Sequence, residues 1–250
     1  MEDLADKEYI RQRIAPKPGD PHYLCLSDLF MALERLIPPE KSRVLDFGCG
    51  GSPYRRLFGD CTYHRADLIG SRNIDFEYDH DSRLPLGATA YDCVLSTQVL
   101  EHVHDPFAYL RECKRVLIPG GHLLLTTHGL FEDHACPHDF WRWTGFGLRR
   151  LVEDAGLQVN ELKKLTTGPR GALYLSEREL HRIRFNNSGW YGHLLSVGIR
   201  AVQQLGSARL HEASDRSFCH NRMVDANESG HDLYIIIAVL ASRPDRGLEG

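Results

Sequence analysis

The sequence predicts an α/β protein built on a parallel sheet with helices covering both faces. Three observations lead there. The segments Val44-Leu45-Asp46-Phe47, Tyr91-Asp92-Cys93-Val94-Leu95-Ser96 and residues 122–127 are near-continuous apolar runs, the pattern of strands buried on both sides. Amphipathic stretches of helical spacing alternate with them. The first run breaks into Gly48-Cys49-Gly50-Gly51-Ser52 directly after Asp46, a strand-to-helix turn where bare backbone and unpaired N–H groups can receive a nucleotide.

The elements follow in order. Residues 23–37 hold Leu26, Leu29, Phe30, Leu33, Leu36 and Ile37 at helical spacing and stop at Pro38-Pro39, so an N-terminal helix is expected within residues 21–40. After the first strand and its glycine turn, a second short strand over residues 61–68 ends in Asp67, where a carboxylate can hold a ribose diol. The run at 91–96 leads to a helix over 105–117, with Asp105 as N-cap, Pro106 at the first helical position and Pro119-Gly120-Gly121 as its stop. A buried strand at 122–127 comes next. Thr144 then caps a helix through Leu148, Leu151 and Val152 that ends at Ala155-Gly156, and a strand over 157–165 follows. Residues 232–240, β-branched and apolar, give the strongest strand signal in the chain. Residues 168–231 separate these last two strands, far more than a usual connection; helical patterning at 173–185 and 190–205 makes them an inserted helical subdomain. The tail from Arg243 is expected to fray.

With 250 residues, 42% of them hydrophobic and 26% charged, the chain can bury one large core and reads as a single domain over 1–250 with that elaboration. A net charge of -4 without a lysine and arginine stripe argues against a nucleic-acid partner. The acidic N-terminus shows no secretory signal, and no apolar run approaches the roughly 20 residues of a membrane span, so a cytoplasmic location is expected. Seven cysteines without a C-x-x-C pair read as reduced thiols, most of them small core residues.

Two ligands fit the strand, glycine turn and helix. A dinucleotide would want a third glycine where Pro53 stands, and its pyrophosphate would be repelled by Asp46. S-adenosylmethionine is cationic at its amine and sulfonium, and Asp46 suits it. An ordinary turn with no ligand is the bland alternative.

Several phrases in this order resemble a class I S-adenosylmethionine-dependent methyltransferase, in particular the methyltransferase type 11 group. They are residues 44–51, Leu84-Pro85-Leu86, residues 91–96, Val99-Leu100-Glu101-His102-Val103, residues 115–123 and residues 151–159. The group's third glycine falls at Ser52. The resemblance implies a Rossmann-like seven-stranded sheet of order 3-2-1-4-5-7-6 with the last strand antiparallel, residues 232–240 being that strand and the helical insert standing just before it. It also implies that Gly48 and Gly50 lie under the methionine part of the donor, that Asp67 holds the ribose, and that Asp81 meets the adenine, with Asp79 and His80 equally near. Ser96, Thr97 and Gln98 would line the site beside the sulfonium.

Methyl transfer is an in-line displacement at an already activated carbon, so the protein must position the acceptor and take a proton if the acceptor is a hydroxyl. Residues 128–144 are crowded with titratable and aromatic side chains. Their His134, Pro137, Asp139, Arg142 and Thr144 resemble a phrase from the branch of the group that modifies glycans and other small metabolites. His134 and His138 are candidate bases. Asp139 and Arg142 either hold the acceptor or order the loop, at the least as a structural ion pair. His128, His134, Cys136 and His138 could converge on zinc, but their spacing matches no standard signature and no metal is expected. His102 and His104 read as solvated or capping residues. The insert around Trp190 reads as a cap, as a homodimer contact, or as a peripheral membrane contact. The expected function is O-methylation of a small molecule or glycan. The rivals are an NAD-type oxidoreductase and a non-catalytic ligand-binding protein on the same scaffold.

Overall fold

Val44 and Leu45 are adjacent on the first strand, point to opposite faces and are both fully buried. Leu45 and Phe47 pack into one core cluster with Tyr109, Leu110, Val116, Leu148 and Val152, while Val44 joins Leu24, Leu29, Leu33, Leu124 and Ile236 in the other. Two cores on either side of one sheet are why the strands read as continuous apolar runs.

Described are residues 4–39, 41–79, 81–182 and 190–245 of a computed structural model. The strands are β1 (Arg43–Phe47), β2 (Thr62–Leu68), β3 (Phe76–Tyr78), β4 (Tyr91–Thr97), β5 (Leu117–His128), β6 (Gln158–Thr167), β7 (Met223–Asp225) and β8 (Tyr234–Ser242). The helices are α1 (Leu4–Ile14), α2 (Tyr23–Leu36), α3 (Pro106–Val116), α4 (Gly145–Asp154), α5 (Gly168–Arg182) and α6 (Trp190–Ser217). The strands form one sheet in the order β3-β2-β1-β4-β5-β8-β6-β7. Strands β1 to β5 pair in parallel, and β8 runs antiparallel to both of its neighbours, β5 and β6.

With β7 set aside, this is the implied order, with the last strand inserted between the fifth and sixth and reversed. The eighth strand is a correction. Met223–Asp225 lies inside the 168–231 insert and adds an antiparallel edge to β6, pairing Lys163 with Asp225. Three residues are too few to show a period, so neither β7 nor β3 announces itself in the sequence.

Local signals hold where they were strong. Asp105 accepts a hydrogen bond from the Ala108 amide at 3.0 Å, with Pro106 opening α3, and Thr144 accepts one from the Gly147 amide at 3.1 Å at the start of α4. The insert carries α5 and α6; part of the 173–185 pattern lies outside the described residues. Helix α1 was not anticipated, because LADKEYIRQRI spreads its charges around the helix and shows no apolar stripe. The expected fraying does not begin at Arg243: its backbone amide donates to Gly121 O at 2.8 Å and its carbonyl accepts from the Gly120 amide at 2.9 Å. No helix among the described residues is long and apolar enough to cross a membrane.

Candidate functional site

The glycine turn after β1 is shaped by its backbone. Gly48 has φ +77°, and a Cβ there would stand 2.5 Å from a Val99 methyl, so neither the conformation nor the space admits a side chain. Gly50 has φ +49°, and Ser52 takes φ +47°, the conformation that explains a glycine preference at its position. The Gly48 and Cys49 amides both donate to Ala66 O, at 2.9 and 3.1 Å, which ties the turn to β2. The Gly50 amide donates to Asp67 Oδ2 at 2.7 Å, and Asp67 Oδ1 accepts from the Leu68 amide, also at 2.7 Å.

These residues open onto a cavity of about 550 Å³ at the carboxyl ends of β1, β2 and β4, a size suited to a small-molecule ligand. Gly48, Gly50, Asp67 and Gln98 line it, and so do Tyr78, Asp79 and Ser82. Three expected donor contacts fall outside the wall. Asp46 is 2% exposed and accepts a hydrogen bond from the Tyr63 hydroxyl at 2.7 Å; burial pushes its carboxyl from 3.8 up to about 6. Ser96 is fully buried, its hydroxyl 2.9 Å from that of Tyr109, which in turn donates to Phe47 O at 3.0 Å. Asp81 is exposed and outside the lining, its amide donating to Asp79 Oδ1 at 3.0 Å; Asp79 and Ser82 take its place, and His80 lies outside the described residues. Gln98 has φ +55°, its amide nitrogen bonds Thr126 Oγ1 at 3.1 Å, and its Oε1 is buried without a partner, an acceptor available to a ligand.

On the far side of the cavity stand His102, His128 and His134, with Phe131 and His22. The His134 ring lies edge-on to His102 at 4.9 Å and to His128 at 5.0 Å. His102 is therefore not a solvated cap, as the sequence suggested: it faces the cavity, and partial burial lowers its pKa. His128 is 5% exposed, stacks on Phe131 at 3.9 Å, and is held well below 6.5 by desolvation. Its Nε2 is 3.2 Å from Glu101 Oε1. Glu101 is fully buried, accepts from the Thr127 hydroxyl at 2.8 Å, and is pushed by burial from 4.5 up to about 7. Glu101 was not singled out as a functional residue, and His128 only as one of four candidate zinc ligands; the signal for Glu101 was its place in the Val99–Val103 phrase.

His138 sits on the exposed rim of the cavity. Asp139 and Arg142 do not line it. They form a two-pronged ion pair at 2.7 and 2.6 Å, and the Arg142 guanidinium also donates to Phe131 O and Glu132 O, so the pair orders the loop that carries His134. That guanidinium holds the Asp139 carboxyl far below the usual carboxylate range. Helix α1, unseen in the sequence, closes the cavity from the N-terminal side with Tyr9 and Arg13, the guanidinium 3.5 Å over the Tyr9 ring. From the insert, α5 supplies Tyr174 and Arg178, the latter paired with Glu132.

A family described as methyltransferase domain matches residues 21–162. A ubiquinone biosynthesis O-methyltransferase of Dinoroseobacter shibae is 30% identical over 173 residues, covering 55% of this chain and 69% of the relative. Proteins of the same name are 27% identical in Parvibaculum lavamentivorans (53% and 65% covered) and 31% identical in Cereibacter sphaeroides (48% and 50% covered). For these two, the match spans less than two thirds of the relative's length. Among solved structures, an S-adenosylmethionine-dependent methyltransferase of Thermotoga maritima superposes with a TM-score of 0.56 at 14% identity, covering 95% of both chains. A Haemonchus contortus phosphoethanolamine N-methyltransferase in complex with S-adenosylhomocysteine gives 0.53 at 15% identity, over 96% of this chain and 57% of that one. At such identities the likeness concerns the fold alone.

Proposed function

The chain belongs to the methyltransferase domain family, and from that premise we propose that it transfers the methyl group of S-adenosylmethionine to an oxygen of a small molecule or glycan. It is an S-adenosylmethionine-dependent enzyme. The observation that carries the finer reading is the single cavity joining the glycine turn to the histidine cluster. Donor and acceptor then share one space from which water can be expelled, and the turn and the histidines stand at its two sides.

In this reading Gly48 and Gly50 carry the methionine portion and Asp67 takes the ribose hydroxyls. Asp79 and Ser82 stand at the adenine end, where Asp81 contributes through its backbone. Arg13 offers a cation to the donor carboxylate, and Gln98 Oε1 an acceptor near the sulfonium. Asp46 acts from behind the turn, through Tyr63 on β2. The acceptor oxygen attacks the methyl carbon in line, the sulfonium C–S bond breaks, and sulfur keeps the electron pair.

The proton of a hydroxyl acceptor passes to the histidine cluster. Of the two candidate bases, His134 is the one inside it: Nδ1 faces Asp139 Oδ2 at 3.4 Å and Glu132 O at 3.3 Å, both acceptors, so Nδ1 carries the hydrogen and Nε2 keeps its lone pair. His138 lends its carbonyl to His102 instead, at 2.6 Å. Oxygen as acceptor is supported by the name that the relatives at about 30% identity carry. The apolar stripe of α6, with Trp190 79%, Leu194 63% and Val197 52% exposed, supports a contact of the insert with a second copy or with a membrane surface.

Titration calorimetry with S-adenosylhomocysteine and with NAD tests the donor; binding of NAD alone would return the chain to the oxidoreductase reading. His134→Ala is expected to lower kcat about 10² to 10⁴-fold with donor affinity retained. An unchanged kcat would remove His134 from the chemistry and favour a scaffold without catalysis.

A further inference from the structure

We infer that Glu101, His102 and His134 form a binding site for one first-row divalent transition-metal ion, with its open coordination positions facing the acceptor end of the cavity. One oxygen and two nitrogen ligand atoms of these residues lie within 4.8 Å of one another. Two imidazoles and one carboxylate are a ligand set that suits zinc(II) or iron(II) and leaves room for further ligands.

The hydrogen-bond pattern around the three residues gives an independent reason. His102 Nδ1 is 2.6 Å from His138 O. A carbonyl only accepts, so Nδ1 carries the hydrogen and the lone pair is left on Nε2. His134 is fixed in the same tautomer by Glu132 O and Asp139 Oδ2. Both rings thus have the outer support of metal-bound histidines, an Nδ1–H given to a carbonyl or carboxylate. Asp139 is itself clamped by Arg142, which fixes the support. Glu101 completes the set: Oε2 takes the Thr127 hydroxyl, while Oε1 is buried, makes no well-aligned hydrogen bond and has only His128 Nε2 beside it at 3.2 Å. A fully buried carboxylate oxygen without a well-aligned hydrogen bond is costly and is relieved by a cation.

Ligands about 2.1 Å from an ion stand roughly 3.4 Å apart, so the ion would draw the three atoms about an ångström closer. His134 can supply this, because it rides on an irregular loop and its side chain is 34% exposed. The zinc set suggested by the sequence is different: Cys136 and His138 are exposed and stand outside the triad.

Only the role of the ion, not its binding, rests on the methyl-transfer reading. An acceptor hydroxyl that coordinates the ion loses its proton to water at lower pH than a free one does, and the resulting oxyanion attacks the methyl carbon as sulfur leaves with the electron pair of the broken bond. With the ion bound, His134 is a ligand; without it, His134 is the base.

The test uses untagged protein, stripped with a chelator, gel-filtered, and titrated with Zn(II) and with Co(II), alongside S-adenosylhomocysteine calorimetry on the same samples. The expected result is one ion per chain, Co(II) absorption of a low-coordinate site, and affinity at least about tenfold weaker in His134→Ala and His102→Ala, with Cys136→Ser unchanged. Circular dichroism shows that the variants fold, and His134 is exposed enough for its variant to do so. No stoichiometric ion on wild-type protein, or wild-type affinity in both histidine variants, overturns the site. In either case, normal S-adenosylhomocysteine binding leaves the methyl-transfer reading standing. Failure to bind S-adenosylhomocysteine while the ion binds at the triad would do the reverse.

Discussion

Gly48 and Asp46 are two positions apart, and the structure treats them differently. Gly48 does what the turn required, and the reason is local: φ +77° and a Val99 methyl 2.5 Å from any Cβ. Gly48→Ala is expected to cost about 1–3 kcal/mol of stability and to abolish donor binding, read by urea unfolding and calorimetry. Asp46 has its carboxylate buried against Tyr63. Its pKa is raised from 3.8 to about 6, so the folded state binds its proton more tightly than the unfolded state does. The stability it contributes is full below about pH 4 and is lost as pH rises through 6. Asp46→Asn should remove that slope and gain roughly 2–3 kcal/mol relative to wild type at pH 8 but not at pH 4. Parallel pH dependences of Tm in the two proteins would show that Asp46 titrates normally.

At the scale of elements, caps and stops were legible because each is an interaction within four residues: Asp105 with Ala108, Thr144 with Gly147, and Gly156 at φ +82° closing α4. What fastens the insert was not legible. Arg170 of α5 and Asp28 of α2 are both fully buried and bond at 2.7 Å; Asp28 also accepts from Arg222 at 2.7 Å and Thr166 at 2.9 Å, and Arg170 also donates to Asp215 at 2.8 Å. In the sequence these are ordinary charges 142 positions apart. Arg170→Met leaves Asp28 buried and half-paired and is expected to destabilise by about 3–5 kcal/mol in urea unfolding. Asp28→Asn with Arg170→Met should recover part of the loss. A loss below about 1 kcal/mol would mean the network is solvated.

For the whole molecule, the sheet order brings segments far apart in the chain to one edge, and a single cavity is the result. Ligand linkage tests it globally: S-adenosylhomocysteine at 100 times its Kd should raise unfolding free energy by about 2.7 kcal/mol, and NAD should not. The sequence by itself determined the strand-helix alternation, the glycine turn and the carboxylate at the end of β2 that lines the cavity. Each follows from side-chain period or backbone conformation within a few residues, and the resemblance added the strand order. Only the tertiary structure decided which polar residues face the cavity. Asp46, Ser96, Asp139 and Arg142 have the right chemistry at the right edge, yet each is committed to a neighbour: Tyr63, Tyr109, or one another. Glu101, His102, His128 and His134 meet because the end of β5, the loop after it and the short 3-10 turn after β4 converge there. A side chain's direction depends on its packing partners, and those come from elements that no local pattern can name.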